Sequence, residues 1–271
     1  MSPAGERIRA LYADLDGTLL GPGGSLFTVP GGLTDRGAEA LGALHRAEVE
    51  LVLVSGRTRE QMREAARILS ARASVAELGA LLVEREPDGE VVVTNFGAYR
   101  GTERPFDAMA RSGAGGFLLQ RYGGSLEPHT PWAFQDREAT MLFRGSVDPA
   151  EVTAALAQAG YDWLEVLDNG VIRRSFETLD VPEVRAYHLV PRGANKASGV
   201  ALHRERHGLG PGETAAVGDS LSDVQMAGEV GRAFIVGDGE PSLVDERPDN
   251  VTLVPEHVGD GFARAVEQLL G

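Results

Sequence analysis

One short stretch constrains this chain more than any other: LYADLDGTLLG, residues 11–21, an apolar run that ends in two carboxylates. The apolar half reads as a buried strand, with Asp14 and Asp16 at its end and Gly17 and Thr18 directly after. Two carboxylates at the edge of a core repel each other and resist desolvation, so something nearby must compensate. The usual compensator is a divalent cation.

The rest of the pattern says what kind of edge this is. RIRALYADL and VELVLVSG read as buried strands, each followed by helical periodicity, and strands alternating with helices predict a parallel sheet. The spacing predicts a helix from Thr34, as its cap, to Ala47 and another from Thr58 to about Arg72. From about Glu84 the pattern changes. ALLVEREPDGEVVVTN and WLEVLDNGVIRRSF each read as two β-prone runs around a turn, and DPAEVTAALAQAG between them reads as a helix capped by Asp148. Alternation resumes with VRAYHLVP, a helix from about Asn195 to His207, TAAVGD, a helix after Ser220, the strands RAFIVG and NVTLVP, and a closing helix from Gly261 to Leu270. The expected fold is α/β. A Rossmann-like parallel-sheet core is formed by residues 1–83 and 185–271, and residues 84–184 form an inserted α+β domain.

Composition narrows the partners. The 271 residues are 42% hydrophobic and 24% charged, an ordinary globular balance. A formal charge of −14 without any long basic run argues against nucleic acid and anionic membrane surfaces. There is no cysteine, which removes disulfides and thiolate metal sites and fits a reducing compartment. The first ten residues hold no apolar signal region, and no segment approaches the roughly 18 apolar residues of a membrane span. A soluble cytoplasmic protein is the expectation. Lysine is scarce beside arginine, so Lys196, in a glycine-containing context, stands out.

In a parallel α/β sheet, ligands collect beyond the carboxyl ends of the strands. Four chemical stretches fall there: Asp14 and Asp16, Ser55 after VELVLV, Lys196 at a helix start, and GDSLSD, which supplies Asp219 and Asp223. Each suits a substrate that carries a phosphoryl group. Asp14 can attack phosphorus, and Asp16 can protonate the leaving oxygen and then activate water. Gly17 lets the backbone turn its amides toward a phosphate, Ser55 can donate a hydrogen bond, and Lys196 offers a compact positive charge. Thr18, Gly56 and Arg57 flank these groups on the substrate side. Asp14, Asp219 and a backbone carbonyl near Asp16 supply the hard oxygen ligands that Mg2+ prefers, with Asp223 completing the acidic set one helical turn on. Each stretch alone also reads as a turn or a helix cap. Their joint placement on one sheet edge carries the functional reading.

DLDGT, VLVSGR, GANK and GDSLSD resemble the four motifs of the haloacid dehalogenase-like phosphatases, and the resemblance spans the whole core. It implies the same roles for Asp14, Asp16, Ser55, Lys196, Asp219 and Asp223, and a Mg2+-dependent reaction through an aspartyl phosphate. It also implies that the insertion is a cap, of the class IIB type found in Cof-like and sugar-phosphate phosphatases. VRAYHLVPRGANKASGV is similar to the third-motif region of mannosyl-3-phosphoglycerate phosphatases. Two departures stand out: Leu78 in AELGA, where many relatives carry Asn, and IVGDGEP, which lacks a following Asn.

The expected substrate is a small phosphorylated metabolite, a sugar phosphate or phosphoglycerate derivative. Arg100, Arg104, Arg121, Arg137, Arg144, Arg173 and Arg174 of the insertion are all placed to read a second anionic group, and the sequence does not choose among them. His188 reads as a packing residue in a strand, as do Trp132 and Trp163. A phosphomutase or phosphotransferase keeps the same motifs. A receiver-like signalling protein, which also holds an aspartyl phosphate, is argued against by the cap-sized insertion and by GDSLSD.

Overall fold

A computed structural model of the chain describes residues 7–172, 174, 176–237 and 247–271. Its first part comprises β1 (Ala10–Asp14), the short pair β2 (Thr28–Val29) and β3 (Gly32–Leu33), α1 (Arg36–Arg46), β4 (Glu50–Val54), α2 (Arg59–Leu69), β5 (Ala73–Ala76), β6 (Leu81–Glu86) and β7 (Gly89–Thr94). The middle comprises α3 (Pro105–Ser112), α4 (Ala114–Arg121), β8 (Leu126–Pro128), β9 (Met141–Gly145), α5 (Pro149–Gln158), β10 (Leu164–Val171) and β11 (Arg185–Pro191). Then follow α6 (Lys196–His207), β12 (Thr214–Gly218), α7 (Leu221–Val224), β13 (Arg232–Val236), β14 (Val251–Val254) and α8 (Val258–Leu270).

The large sheet has the order β14-β13-β12-β1-β4-β5-β6-β7. Its first six strands are parallel, and β6 and β7 are antiparallel additions at one edge. β1 is buried at every position, as a central parallel strand covered on both faces must be. Leu11 and Ala13 join the cluster that holds Leu44 of α1, Met62 of α2 and Phe262 of α8. Tyr12, between them, faces the opposite layer with Val200 of α6 and Met226. That alternation fixes the register of the strand, and therefore where Asp14 emerges.

Of the two caps the sequence names, Asp148 acts as one and Thr34 does not, while the expected helix starts Thr58 and Asn195 prove to be caps. Thr58 and Gln61 form a capping box on α2, Asn195 and Ser198 form one on α6, and Asp148 accepts from the Ala150 and Glu151 amides at the start of α5. α1 begins at Arg36 with Asp35 in the cap position, and the Thr34 hydroxyl accepts from the Arg36 amide at 3.3 Å while donating its hydrogen to Asp260, 2.7 Å away.

The insertion is smaller at its start and longer at its end than residues 84–184. The hairpin around PDG is present, but β6 and β7 extend the large sheet, so the expected boundary at Glu84 falls inside a core strand. VRAYHLVP, expected in the core, is β11 and lies between β10 and β9 in the separate four-stranded sheet β10-β11-β9-β8. The physical reason is the same in both cases: strand propensity is local, and pairing partners are not. The DNG turn also changes role. β10 runs through Asp168–Gly170 with an irregularity of register and pairs with β11, so no tight hairpin forms there. α3, α4 and α5 pack on this sheet through Met109, Leu118, Val152 and Leu156, giving the insertion its own core.

A buried carboxylate ties the insertion to the core. Glu77, fully enclosed after β5, accepts from the backbone amides of Glu138, Ala139 and Thr140 and from the Thr140 hydroxyl, at 2.7 to 3.1 Å. Burial pushes its pKa up, while Arg137 and the converging amides pull it back. Glu77→Gln puts an amide NH2 against donors that need an acceptor, and is expected to cost about 1–3 kcal/mol. Chemical denaturation compared with the parent chain measures it, and an unchanged midpoint would show that the contact contributes nothing.

Candidate active site

Three parallel strands end at one point. Asp14 is the last residue of β1, Ser55 follows β4, Asp219 follows β12, and Lys196 opens α6 opposite them. Lys196 is the only lysine in the chain. Its ammonium donates to Asp14 Oδ1 at 2.9 Å and to Asp223 Oδ1 at 2.7 Å, and all three groups are buried. Thr18 reaches from the other side, its hydroxyl 3.2 Å from Asp14 Oδ2 and 3.3 Å from Asp219 Oδ1. Asp223 has both oxygens engaged: Oδ2 accepts from the Ser220 hydroxyl at 2.6 Å and from the Ser220 and Asp219 amides. It thereby fixes both the lysine and the turn that carries Asp219.

The charges do not balance. Burial, then the neighbouring carboxylates Asp14 and Asp223, hold the Asp219 pKa well above its ordinary value. Asp14 is pushed up to about 7 by burial, with Lys196 opposing and Asp223 adding to the rise. Burial opposes the Lys196 charge too, but Asp14 and Asp223 overcome it and hold its pKa above the ordinary value. One ammonium thus faces three carboxylates whose ligand atoms lie within 4.8 Å of one another. A hard divalent cation fits that donor set and supplies the missing charge.

Asp16 is not part of this cluster. It is exposed, and its carboxylate takes a bidentate pair from Arg57, 2.7 Å from Nε and 2.6 Å from Nη2. The structure therefore brings Asp14, Lys196, Asp219 and Asp223 together and leaves the Asp16 side chain at the rim, so any role of Asp16 toward a cation rests on its backbone. Ser55 is buried, and its hydroxyl accepts from the Arg57 amide at 3.3 Å.

Two glycines are required by space. Gly17 has φ +95°, and a Cβ there would lie 2.1 Å from Asp219 Oδ2. A Cβ on Gly56 would lie 2.8 Å from His188 Nε2 and 3.0 Å from Asn169 Nδ2. The insertion therefore closes directly over the loop that follows β4. Arg137, 3% exposed, donates to the Gly56 carbonyl at 3.3 Å and completes that contact.

Of the candidate arginines, Arg137 alone is shown bonding to the core. Arg104 pairs with Asp107, Arg121 lies near Glu151, and Arg100 donates to local carbonyls. Arg144 pairs with Glu127 and lies 3.9 Å over the Phe176 ring, which Arg174 also approaches. Arg173 and the Asp238–Pro241 part of IVGDGEP lie outside the described residues. His188 is buried as expected, and burial followed by Arg137 and Lys196 lowers its pKa well below the ordinary value, keeping the ring neutral. Trp163 packs on Tyr99, with ring centroids 4.9 Å apart, but Trp132 is half exposed, contrary to a packing role. Sequence reasoning missed Glu77 and Asn169, and gave Ser220 of GDSLSD only as the residue before a helix. Asn169 left a signal in DNG, where it reads as a turn residue.

A haloacid dehalogenase-like hydrolase family matches residues 178–266. Over those residues the chain resembles the haloacid dehalogenase-like hydrolases. A phosphoglycolate phosphatase of Methanoculleus marisnigri is 27% identical over 266 residues, 96% of each chain. The Synechocystis sucrose-phosphatase, solved in complex with sucrose and phosphate, shares the fold with a TM-score of 0.64 and 16% identity, covering 97% of this chain and 98% of that one. The sugar phosphatase BT4131, of subclass IIB, aligns with a TM-score of 0.59 and 16% identity over 96% of this chain and 98% of its own. Among the described residues no helix is long and apolar enough to cross a membrane.

The unbalanced charge predicts a pH signature for the protein. Asp14 has an ordinary pKa of 3.8 and a folded value of about 7. Because the folded value is the higher one, this group stabilises the fold fully below about pH 4 and loses that contribution as pH rises to about 7. Denaturation in chelator at several pH values should show the loss, and Mg2+ should reverse it near neutrality. Equal stability with and without Mg2+ at pH 7 would contradict the charge assignment.

Proposed function

We propose that this protein is a haloacid dehalogenase-like hydrolase, a Mg2+-dependent phosphatase that cleaves a small phosphate monoester through an aspartyl phosphate on Asp14. The observation that carries the reading is the buried Lys196 held between Asp14 and Asp223 at the carboxyl ends of β1, β4 and β12. A lysine there binds a phosphoryl oxygen and keeps Asp14 ionised for attack.

Asp14, Asp219 and the backbone carbonyl of Asp16 would hold Mg2+, which supplies positive charge to the transferring phosphoryl group when bound. The chain's own groups do the rest. Asp14 Oδ attacks phosphorus and the ester oxygen leaves, taking a proton from Asp16; Asp16 then accepts a proton from the water that attacks the phosphoaspartate. Thr18 and Ser55 orient phosphoryl oxygens through their hydroxyls. Arg57 holds Asp16 at the rim, where a leaving group would depart. The insertion, pinned by Glu77 and Arg137, excludes bulk water from this chemistry.

The substrate class we propose is a phosphorylated hydroxy acid or sugar, in line with the phosphoglycolate and sugar phosphatase relatives. Arg57 follows Gly56 and Arg137 donates to the Gly56 carbonyl, and we assign to this loop the reading of a second anionic or hydroxyl-rich group next to the phosphate. A phosphotransferase would use the same residues, and product analysis in water with and without an acceptor alcohol separates the two.

A screen of phosphate esters with released phosphate measured tests the proposal. Turnover should require Mg2+, and Asp14→Asn should lower it by roughly 10³-fold or more. Full turnover in excess chelator, or by the Asn variant, would overturn it. Asp16→Ala should slow esters with poor leaving groups by about 10²- to 10⁴-fold and good ones less in the first step, and equal impairment would remove the acid role.

A further inference from the structure

A second cluster of metal-ligating side chains lies away from the active site. Glu84, His203 and His207 offer ligand atoms within 4.8 Å of one another. His203 and His207 stand four residues apart on α6, one above the other on the same helix face, with ring centroids 4.4 Å apart. Glu84 comes from β6 and shares with Leu82 the sheet face that α6 covers. α6 begins at Lys196 at the catalytic edge, and at about 1.5 Å rise per residue His207 sits roughly 16 Å further on. The two clusters are separate.

The pairing within the cluster is incomplete. His203 is fully buried, its Nδ1 is 2.9 Å from the Tyr12 hydroxyl, and its Nε2 has no hydrogen-bond partner. With the proton on Nδ1 donated to Tyr12, Nε2 presents a bare lone pair. His207 Nε2 lies 2.6 Å from Glu84 Oε1, and the other Glu84 oxygen is held by Arg206 at 2.8 and 3.1 Å. Glu50 Oε1, from β4, stands 4.0 Å from His203 Nε2. Two imidazole nitrogens and a carboxylate, with His203 oriented by Tyr12 and Glu84 by Arg206, are what borderline divalent metals select, whereas Mg2+ prefers oxygen alone.

We propose that His203, His207 and Glu84, with Glu50 placed to complete the set, form a transition-metal site for a Zn2+- or Co2+-class cation, distinct from the catalytic acidic cluster. The cation replaces the proton shared by His207 and Glu84 and satisfies the orphaned His203 nitrogen. It joins β6 to α6, and so ties the edge strands of the large sheet to the helix that presents Lys196. The absence of cysteine leaves histidine as the only nitrogen or sulfur donor of this kind in the chain.

The test is a Co2+ titration of the full chain in excess Mg2+, which occupies the oxygen-only site, followed by visible absorption and calorimetry. The expected result is one Co2+ per chain with intense tetrahedral-type bands, displaced by Zn2+. His207→Gln alters a half-exposed ligand, and Glu84→Gln removes the carboxylate charge. Each should weaken binding by about 10- to 100-fold or more. The circular dichroism and thermal unfolding of both variants show whether they remain folded. No Co2+ binding by the parent chain, or parent-like affinity in either folded variant, overturns the proposal. Neither outcome depends on the catalytic reading.

Discussion

The contact on which the site depends is Lys196 buried between two carboxylates. An ammonium is costly to desolvate, and so is each carboxylate, so none of the three would be stable there without the others. Their positions are set by different parts of the fold: Asp14 by β1, Asp223 by α7 and Lys196 by the first turn of α6. The parallel sheet and the Asn195 capping box are what bring them to one point. Because the third carboxylate, Asp219, exceeds what one lysine can neutralise, the same geometry that stabilises the pair leaves the site short of positive charge. That deficit is what a divalent cation could fill.

The insertion is held over this site by interactions of the opposite kind. Glu77 is an acceptor satisfied by four donors of residues 138–140, and Arg137 reaches back to the Gly56 carbonyl. Both contacts are directional and enclosed, so they set where the insertion sits more narrowly than apolar packing alone would. Gly56 then lets His188 and Asn169 approach the Ser55 loop to a distance that any side chain would block. The two buried cross-links and the close approach make the loop after β4 the joint between the chemistry and the residues able to select a substrate. Leu78 stands where an Asn was expected, and it is fully buried in the turn immediately after Glu77.

The acidic cluster around Lys196 was legible in the sequence because its residues end or follow a buried strand or lie in the first turn of a capped helix, and those signals are local. Asp16 was legible as a residue but not as a geometry: nothing in LYADLDGT says that its carboxylate turns outward to Arg57. The limits of the insertion were not legible, because β6 and β7 look like any hairpin, and only pairing with β5 assigns them to the core. β11 was misassigned for the same reason, since its apolar run suits either sheet. Glu77 was invisible because a buried glutamate with distant backbone partners has no sequence pattern. Choosing Arg137 from seven arginines likewise required knowing which one faces Gly56.

The central claim is that Asp14 carries the phosphoryl group during turnover. It is tested most directly by quenching the enzyme in acid while it hydrolyses a phosphate ester and mapping the phosphorylated peptide by mass spectrometry. The account predicts a hydroxylamine-labile phosphoryl group on Asp14, formed in the presence of Mg2+ and absent after substrate is exhausted. A phosphoryl group on any other residue, or sustained turnover with Asp14 never modified, would contradict it.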